Sequence, residues 1–466
     1  MRDKHGLLSQ PIGHVLLKMS LPNVIGILTI LLASLVDTFF VSKLGTDALT
    51  SISFTFPVTL IVSSIAIGIG TGVSTNFGRL IGSGNAPNAK FFLHDALLTT
   101  LALMTLLGII GLVTINPLFK LLGATSVSLP LIYDYMVFWY LGSPLLVLMM
   151  VSNQALRATG DTRSAAKIMI IAASVNIILD PLLIFGLGPF PKLGMQGAAI
   201  ATSLSWVCAL SFSWYLLAVK KKMLSFVGIN FCRIKSNWKR LAHISQPAAL
   251  MNLINPVFNA ILMAVLARIN HDAVAAFGAG TKVESLLLLV TVALSSSLVP
   301  FIAQNLGANQ KERAHRALML AIKFVLIFQT LIYIPIYFLA NPIALIFSTD
   351  PDIVKWLTFY IQVLPIAYGP LSVVILVATS LNAYHRPIAS LVLNICRLFL
   401  LMLPLAIVGA KLWGVEGLML ALPITNIIMG LACYILAKQI SESPKAVSHS
   451  NIDDHPALKN ADNECS

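Results

Sequence analysis

Charged residues are scarce in this chain. They make up 11% of its 466 residues, against about 25% in ordinary soluble domains. With 57% hydrophobic residues and a mean hydropathy of +0.87, that deficit excludes a soluble globular protein and defines an integral membrane one. Acids are scarcer still, 18 against 31 Lys and Arg. The resulting net charge of +13 does not imply nucleic acid, because the bases stand in short loops beside apolar runs, the positive-inside pattern. None of the five cysteines falls in a CxxC: Cys208, Cys396 and Cys433 lie in apolar segments, Cys232 in a basic loop and Cys465 in the tail. Neither a disulfide framework nor a zinc site is supported. Enzyme motifs are missing as well. All nine histidines lie at span ends, in loops or in the tails, and no H-E-x-x-H, G-x-S-x-G or Walker lysine occurs. The chain reads as neither an enzyme nor an ATP-driven pump, and no cofactor is expected. No signal peptide is readable, since Arg2 and Lys4 precede an apolar run too long for an h-region.

Long apolar runs are what the sequence has in abundance. Hydropathy places about twelve spans near 17–42, 51–80, 91–115, 131–156, 164–186, 195–219, 241–269, 274–306, 314–339, 353–382, 387–409 and 415–437, each near the roughly 20 residues that cross a bilayer. Lys90, Arg157, Arg163, Lys167, Lys311, Arg313, Arg316 and Arg386 fall on one side. The connection after the sixth span adds Lys220, Lys221, Lys222, Arg233, Lys235, Lys239 and Arg240 to that side without an acid. Both termini and this basic loop are therefore expected in the cytoplasm. Sliding the sequence by 225 positions superposes Asp47-Ala48 on Asp272-Ala273, and Leu80-Ile81-Gly82 falls opposite Asn305-Leu306-Gly307. A shift of 223 lays DPLLIFG (Asp180 to Gly186) over LPLAIVG (Leu403 to Gly409). The expected fold is all-α integral membrane, about twelve transmembrane helices in two pseudo-symmetric six-helix bundles, related as parallel repeats. The boundaries are 1–219 and 241–437 for the bundles, 220–240 for a basic cytoplasmic linker and 438–466 for a disordered polar tail.

The repeats differ in their charges. Asp37 corresponds to Leu262 and Asp180 to Leu403, so only the first half keeps these two carboxylates. Each lies six residues from its outer helix end, a depth of roughly 9 Å. Thr202 falls at a similar level, and Asn176 stands one turn from Asp180 on the same face. An intramembrane carboxylate is a functional hypothesis by default. This oxygen-rich layer is expected to hold a proton, with Na⁺ as the other candidate and no other metal. Pro22, on the same helix as Asp37, removes a backbone hydrogen bond and marks a hinge. In the second half Glu284 and Arg397 share a depth near the midplane and are expected to form a structural ion pair. Gly68-x-x-x-Gly72 and Gly78-x-x-x-Gly82 read as close helix packing. An adaptable substrate pocket is expected from Asn153, Asn176, Met169, Phe56 and Trp206.

LPNVIG and ASLVDTFFVSKLGTDAL in the first span, QALRATGDTR (Gln154 to Arg163), SVNIILDPLLIFGLG (Ser174 to Gly188) and LGMQGAAIATSLS (Leu193 to Ser205) resemble the multidrug and toxic compound extrusion (MATE) transporters. The resemblance covers the chain except its tail. It implies two six-helix bundles around a central cleft and cation-coupled export of amphipathic cationic small molecules from a bacterial inner membrane, by a monomer. Within the family the DNA-damage-inducible-F-like branch uses an amino-terminal aspartate pair with an asparagine, positions that match Asp37, Asn176 and Asp180, with Thr202 nearby. In that branch the first helix has been proposed to bend on protonation, an option that Pro22 and Asp37 carry over. The sodium-driven branch has a glutamate where this sequence reads Asn255. That departure favours protons acting on the first half and makes Asn255 itself expected to matter little. The alternative function, a lipid-linked oligosaccharide flippase of the same superfamily, calls for more spans and a cationic cavity.

Overall fold

The computed structural model describes residues 6–224 and 230–442. The tail expected over 438–466 therefore lies mostly outside the described residues. Among the described residues there is no strand. The first half runs α1 (Ile12–Ser42), α2 (Thr46–Gly82), α3 (Ala86–Leu121), α4 (Ser128–Ala158), α5 (Thr162–Phe185) and α6 (Met195–Trp214), which ends in a π-helical turn, Tyr215–Lys220. The second half runs α7 (Phe231–Ala267), α8 (His271–Leu287), α9 (Leu289–Gly307), α10 (Lys311–Phe338), α11 (Ala340–Phe347), α12 (Pro351–Val363), α13 (Tyr368–Ala383), α14 (Pro387–Ile395) and α15 (Leu403–Glu442). Eleven stretches are long and apolar enough to cross a membrane. One of them, Pro387–Gln439, doubles back at Gly414, whose φ of 60° only glycine adopts freely. It thus supplies two spans and brings the number to the twelve expected.

Several spans are not single rods. The eighth is α8 and α9 broken at Leu288. The tenth joins α12 to α13 through a 3₁₀ turn, Leu364–Ala367, where Pro365 lacks the donor that would continue the helix. The eleventh passes through a π-helical segment, Cys396–Met402. Of the stretch read as a linker, residues 231–240 are already the opening turns of α7. Its 37 residues run about 55 Å, well beyond a hydrocarbon layer of about 30 Å. This extension is clamped to the first half: Arg233 holds Asp95 on α3 through Nε to Oδ2 (2.9 Å) and Nη2 to Oδ1 (3.0 Å). Asn237 adds a third bond at 2.8 Å, so an aspartate only 1% exposed has its lone pairs met.

The halves join at the end that carries the basic loops. Residues that enter the other half's apolar cluster, namely Leu7, Val15, Leu16 and Met19 from the first and Leu241 from the second, all lie there. Helix α2 runs along the seam, and both of its glycine pairs sit in it. A Cβ on Gly68 would lie 2.6 Å from Ala249 Cβ and from the Ser245 carbonyl oxygen, and one on Gly72 would meet Ser245 Oγ. Further along, Gly78 faces Ala303 and Gly82 faces the Gln304 backbone, while Gly307 faces the Arg79 backbone in return. The crossing is reciprocal in its hydrogen bonds too. Arg79 Nη2 donates to the Ala383 carbonyl at 2.8 Å, and Gln304 Nε2 donates to the Ala158 carbonyl. All of these pairs are related by the shift of 225: Arg79 with Gln304, Gly82 with Gly307, Ala158 with Ala383.

At the same end Asp161 caps α5, accepting from Ser164 N at 3.0 Å, and pairs with Lys221 Nζ at 2.7 Å, both side chains 16% exposed. Burial pushes the Asp161 carboxyl up, but Lys221 and the Ser164 bonds outweigh it and hold the group below the usual carboxylate range. A depressed folded-state pKa contributes stability above the unfolded value of about 3.9, and that contribution is lost as pH falls through the folded value. Asp161→Asn, which keeps the cap but loses the charge, should therefore cost about 0.5–1 kcal/mol at neutral pH, with the gap from wild type closing below about pH 4. Thermal melts in detergent between acid and neutral pH check this.

Candidate functional site

The site grows from the second half of α5. Asn176 and Asp180 are one turn apart on its inner face, and the helix stops at Gly186, left-handed at φ 72°, which fixes how far Asp180 stands from the membrane surface. Asp180 is 0% and Asn176 9% exposed. Asn176 Nδ2 donates to Asp180 Oδ1 (3.1 Å) and to Thr202 Oγ1 on α6 (3.3 Å). Thr202 in turn donates to the Ala198 carbonyl at 2.9 Å. Since the threonine hydroxyl spends its proton there, it can only accept from Asn176, and the amide faces Asp180 with its donor side. Helix α1 supplies Asp37, whose carboxyl stands beside that of Asp180. Asp37 Oδ1 and Asp180 Oδ2 are buried and otherwise unpartnered. The structure thus brings all four expected residues into one cluster. Sequence reasoning missed Tyr135 on α4, 6% exposed and close enough to feel both carboxylates; one tyrosine among ten carried no distinguishing signal.

The residues expected in the substrate pocket stand on α2, α4, α5 and α6. Trp206, 8% exposed, is locked edge-to-face on Trp139 at 6.2 Å between α4 and α6. Phe56 is 51% exposed. Asn153 and Met169 do come together with a third residue, Arg157. Asn153 Nδ2 donates to the Ala165 carbonyl (3.2 Å), and Arg157 Nη2 to Met169 Sδ (3.1 Å). Pro22 lies inside an unbroken α1. Its neighbour Asn23, wholly buried, ties the helix to α9 through Ser296 Oγ (3.1 Å) and Ser297 Oγ (2.9 Å).

The Glu284–Arg397 ion pair is not formed, and this corrects the expectation. Glu284 accepts from the Tyr360 hydroxyl at 2.7 Å. Arg397 donates instead to Asn426 Oδ1 (3.2 Å) and Asn255 Oδ1 (3.3 Å). Equal depth gave no angular position about the bundle, and nearer neutral partners took both charges. Asn255, expected to matter little, is half of an amide clamp on a buried guanidinium.

Twelve spans in two duplicated bundles, joined by a reciprocal seam and with polar clusters buried in each, define the architecture of a membrane transporter. The MatE family model matches the chain twice, over residues 22–182 and 247–408, so the second match begins 225 positions after the first. The chain belongs to the MATE family. It is 66% identical over 448 residues to a protein of Shewanella oneidensis named FAD transporter, covering 96% of this chain and 99% of the relative. It is 26% identical over 430 residues to the multidrug export protein MepA of Staphylococcus aureus, 91% and 93% of the two chains. The crystal structure of the Vibrio cholerae MATE transporter VcmN in an aspartate-to-asparagine mutant superposes with a TM-score of 0.89 at 27% identity, over 94% of this chain and 98% of that one. Its bent form gives 0.88 at 27% identity, over 92% and 97%.

Proposed function

We propose that this protein exports FAD across the bacterial inner membrane by alternating access, driven by protons at the Asp37–Asp180 pair. One observation carries the substrate: 66% identity along 96% of the chain to a protein named for FAD transport. The proton reading rests on the site's chemistry. Two carboxyls buried side by side repel each other when both are ionised, which favours a state in which one of them holds a proton. Asn176, moreover, turns its donor rather than its oxygen toward Asp180, which suits a carboxylate and disfavours Na⁺. An aspartate pair with an asparagine is also what the resemblance to the DNA-damage-inducible-F-like branch implies. The basic loops and both termini lie in the cytoplasm, following the positive-inside rule, and the protein acts as a monomer.

The energetics suit an anion. A proton entering down 100 mV supplies about 2.3 kcal/mol and each pH unit about 1.4 kcal/mol. A diphosphate leaving an interior-negative cell also moves with the field, so potential and proton act in the same direction. The second reading, exchange of cationic amphipathic drugs for protons, is favoured by the acidic pair, where a lipophilic cation and a proton compete for the same carboxylates. A flippase, which calls for more than twelve spans, is not favoured. The test is flux from proteoliposomes loaded with FAD or with a cationic dye, under imposed pH, Na⁺ or potassium-diffusion gradients. FAD efflux should rise several-fold with acid on the trans side and with an interior-negative potential, and should ignore Na⁺. Dye flux with no FAD flux under any gradient would overturn the substrate in favour of the second reading.

A further inference from the structure

Arg397 is an unusual side chain to bury in a membrane bundle. It is 8% exposed, sits in the π-helical segment Cys396–Met402, and has no carboxylate within ion-pair distance. A guanidinium offers five N–H donors. Two of them meet the neutral oxygens of Asn255 and Asn426, and Nε–H has no acceptor at all. Amide oxygens orient the fork without cancelling its charge. Glu284 lies beyond ion-pair distance and is itself held by the Tyr360 hydroxyl. The shift of 223 places Ser174 at the equivalent position of the first half, so the internal repeat does not require an arginine here. A buried, oriented cation near the midplane with no carboxylate in contact is a group suited to bind an anion, and π-helical segments recur at functional sites.

We propose that Arg397, presented by Asn255 and Asn426, receives the diphosphate of the transported dinucleotide. The inference rests on the FAD reading above. The planar fork matches phosphate oxygens two at a time, and the first half, with its acid pair, repels the same group. Protons and substrate are thereby assigned to different bundles, the proton to Asp37 and Asp180 and the phosphate to Arg397.

The test compares wild type, Arg397→Gln and Asn255→Asp in FAD-transporting proteoliposomes, with thermal stability measured alongside. Arg397→Gln should raise KM for FAD by about tenfold or more, the loss of a charge-assisted contact, with kcat little changed. Asn255→Asp keeps the question open to test even if Arg397→Gln folds poorly. It sets a carboxylate against the guanidinium, so it should raise Tm while raising KM for FAD just as much. A purely structural arginine would show the gain in Tm alone. Riboflavin, which has the flavin ring but no phosphate, should inhibit FAD transport equally in all three proteins. If wild type moves FAD and both variants keep its KM, the phosphate site is overturned and the FAD reading stands. If wild type moves no FAD, the reading itself falls, and the site with it.

Discussion

Asp37→Asn and Asp180→Asn proteins should reach the membrane folded and lose proton-driven export. The asparagine side chain is nearly the size of the aspartate and keeps an oxygen for Asn176, so packing around a fully buried Asp180 is preserved. What disappears is the group that takes up and gives back a proton beside a second carboxyl. Losing one coupled proton at 100 mV removes about 2.3 kcal/mol, about a fiftyfold smaller sustainable gradient. Export against a gradient should therefore collapse, while substrate-for-substrate exchange, which needs no net proton movement, persists. Glu284→Gln is the control. That acid accepts from Tyr360 and, among the described residues, has no second carboxyl paired with it, so its loss should leave proton coupling intact. Proton and substrate fluxes measured together in proteoliposomes decide the matter. Proton-coupled export at wild-type rate in either asparagine variant would remove that residue from the coupling site.

Why this cluster was legible in the sequence, and others were not, follows from what a one-dimensional pattern encodes. Counting residues from the helix ends gives depth, and a spacing of four gives a shared face. Those two facts placed Asn176, Asp180 and Thr202 together, and the repeat comparison singled out Asp37 and Asp180 as the charges peculiar to one half. Depth alone failed for Glu284 and Arg397, because their angular positions depend on how α8, α12, α14 and α15 wrap one another. The same limit hid Asn23, although it follows Pro22 directly, and the packing of Trp206 on Trp139. The twelve spans were readable from hydropathy. Their interruptions at Leu288 and Cys396 were not, since neither sits at a proline or glycine, and tertiary contacts decide where such helices loosen. The glycine pairs of α2 were legible as close packing. That their partners are α7 and α9 of the other half was written only faintly, in the match of Leu80-Ile81-Gly82 with Asn305-Leu306-Gly307.

That seam yields the other large expected effect. Alternating access requires the basic-loop end, closed here, to open during each cycle, and the α2–α9 crossing is what closes it. Gly82 and Gly307 allow it: a Cβ on Gly82 would fall on the Gln304 main chain and one on Gly307 on the Arg79 main chain. Backbone cannot swing aside as a side chain does. Gly82→Ala and Gly307→Ala should therefore hold the halves apart at this end, stretching the Arg79–Ala383 and Gln304–Ala158 hydrogen bonds, and cut transport by about tenfold or more, the equivalent of losing about 1.4 kcal/mol from the closed state. The substitution raises helix propensity by up to about 1 kcal/mol, so a loss cannot be blamed on a weakened helix. Accessibility supplies the independent readout. In a background with the five cysteines replaced, a cysteine at Ala158 or Ala383, both 0% exposed, should react slowly with a maleimide in the parent. It should react about tenfold faster once either glycine is alanine, the same shift in the closed–open balance. The two alanine changes should also resemble each other, because the duplication makes their contacts equivalent. Normal transport with the cysteines still shielded would mean that the crossing moves as a unit and that the opening lies elsewhere along α2.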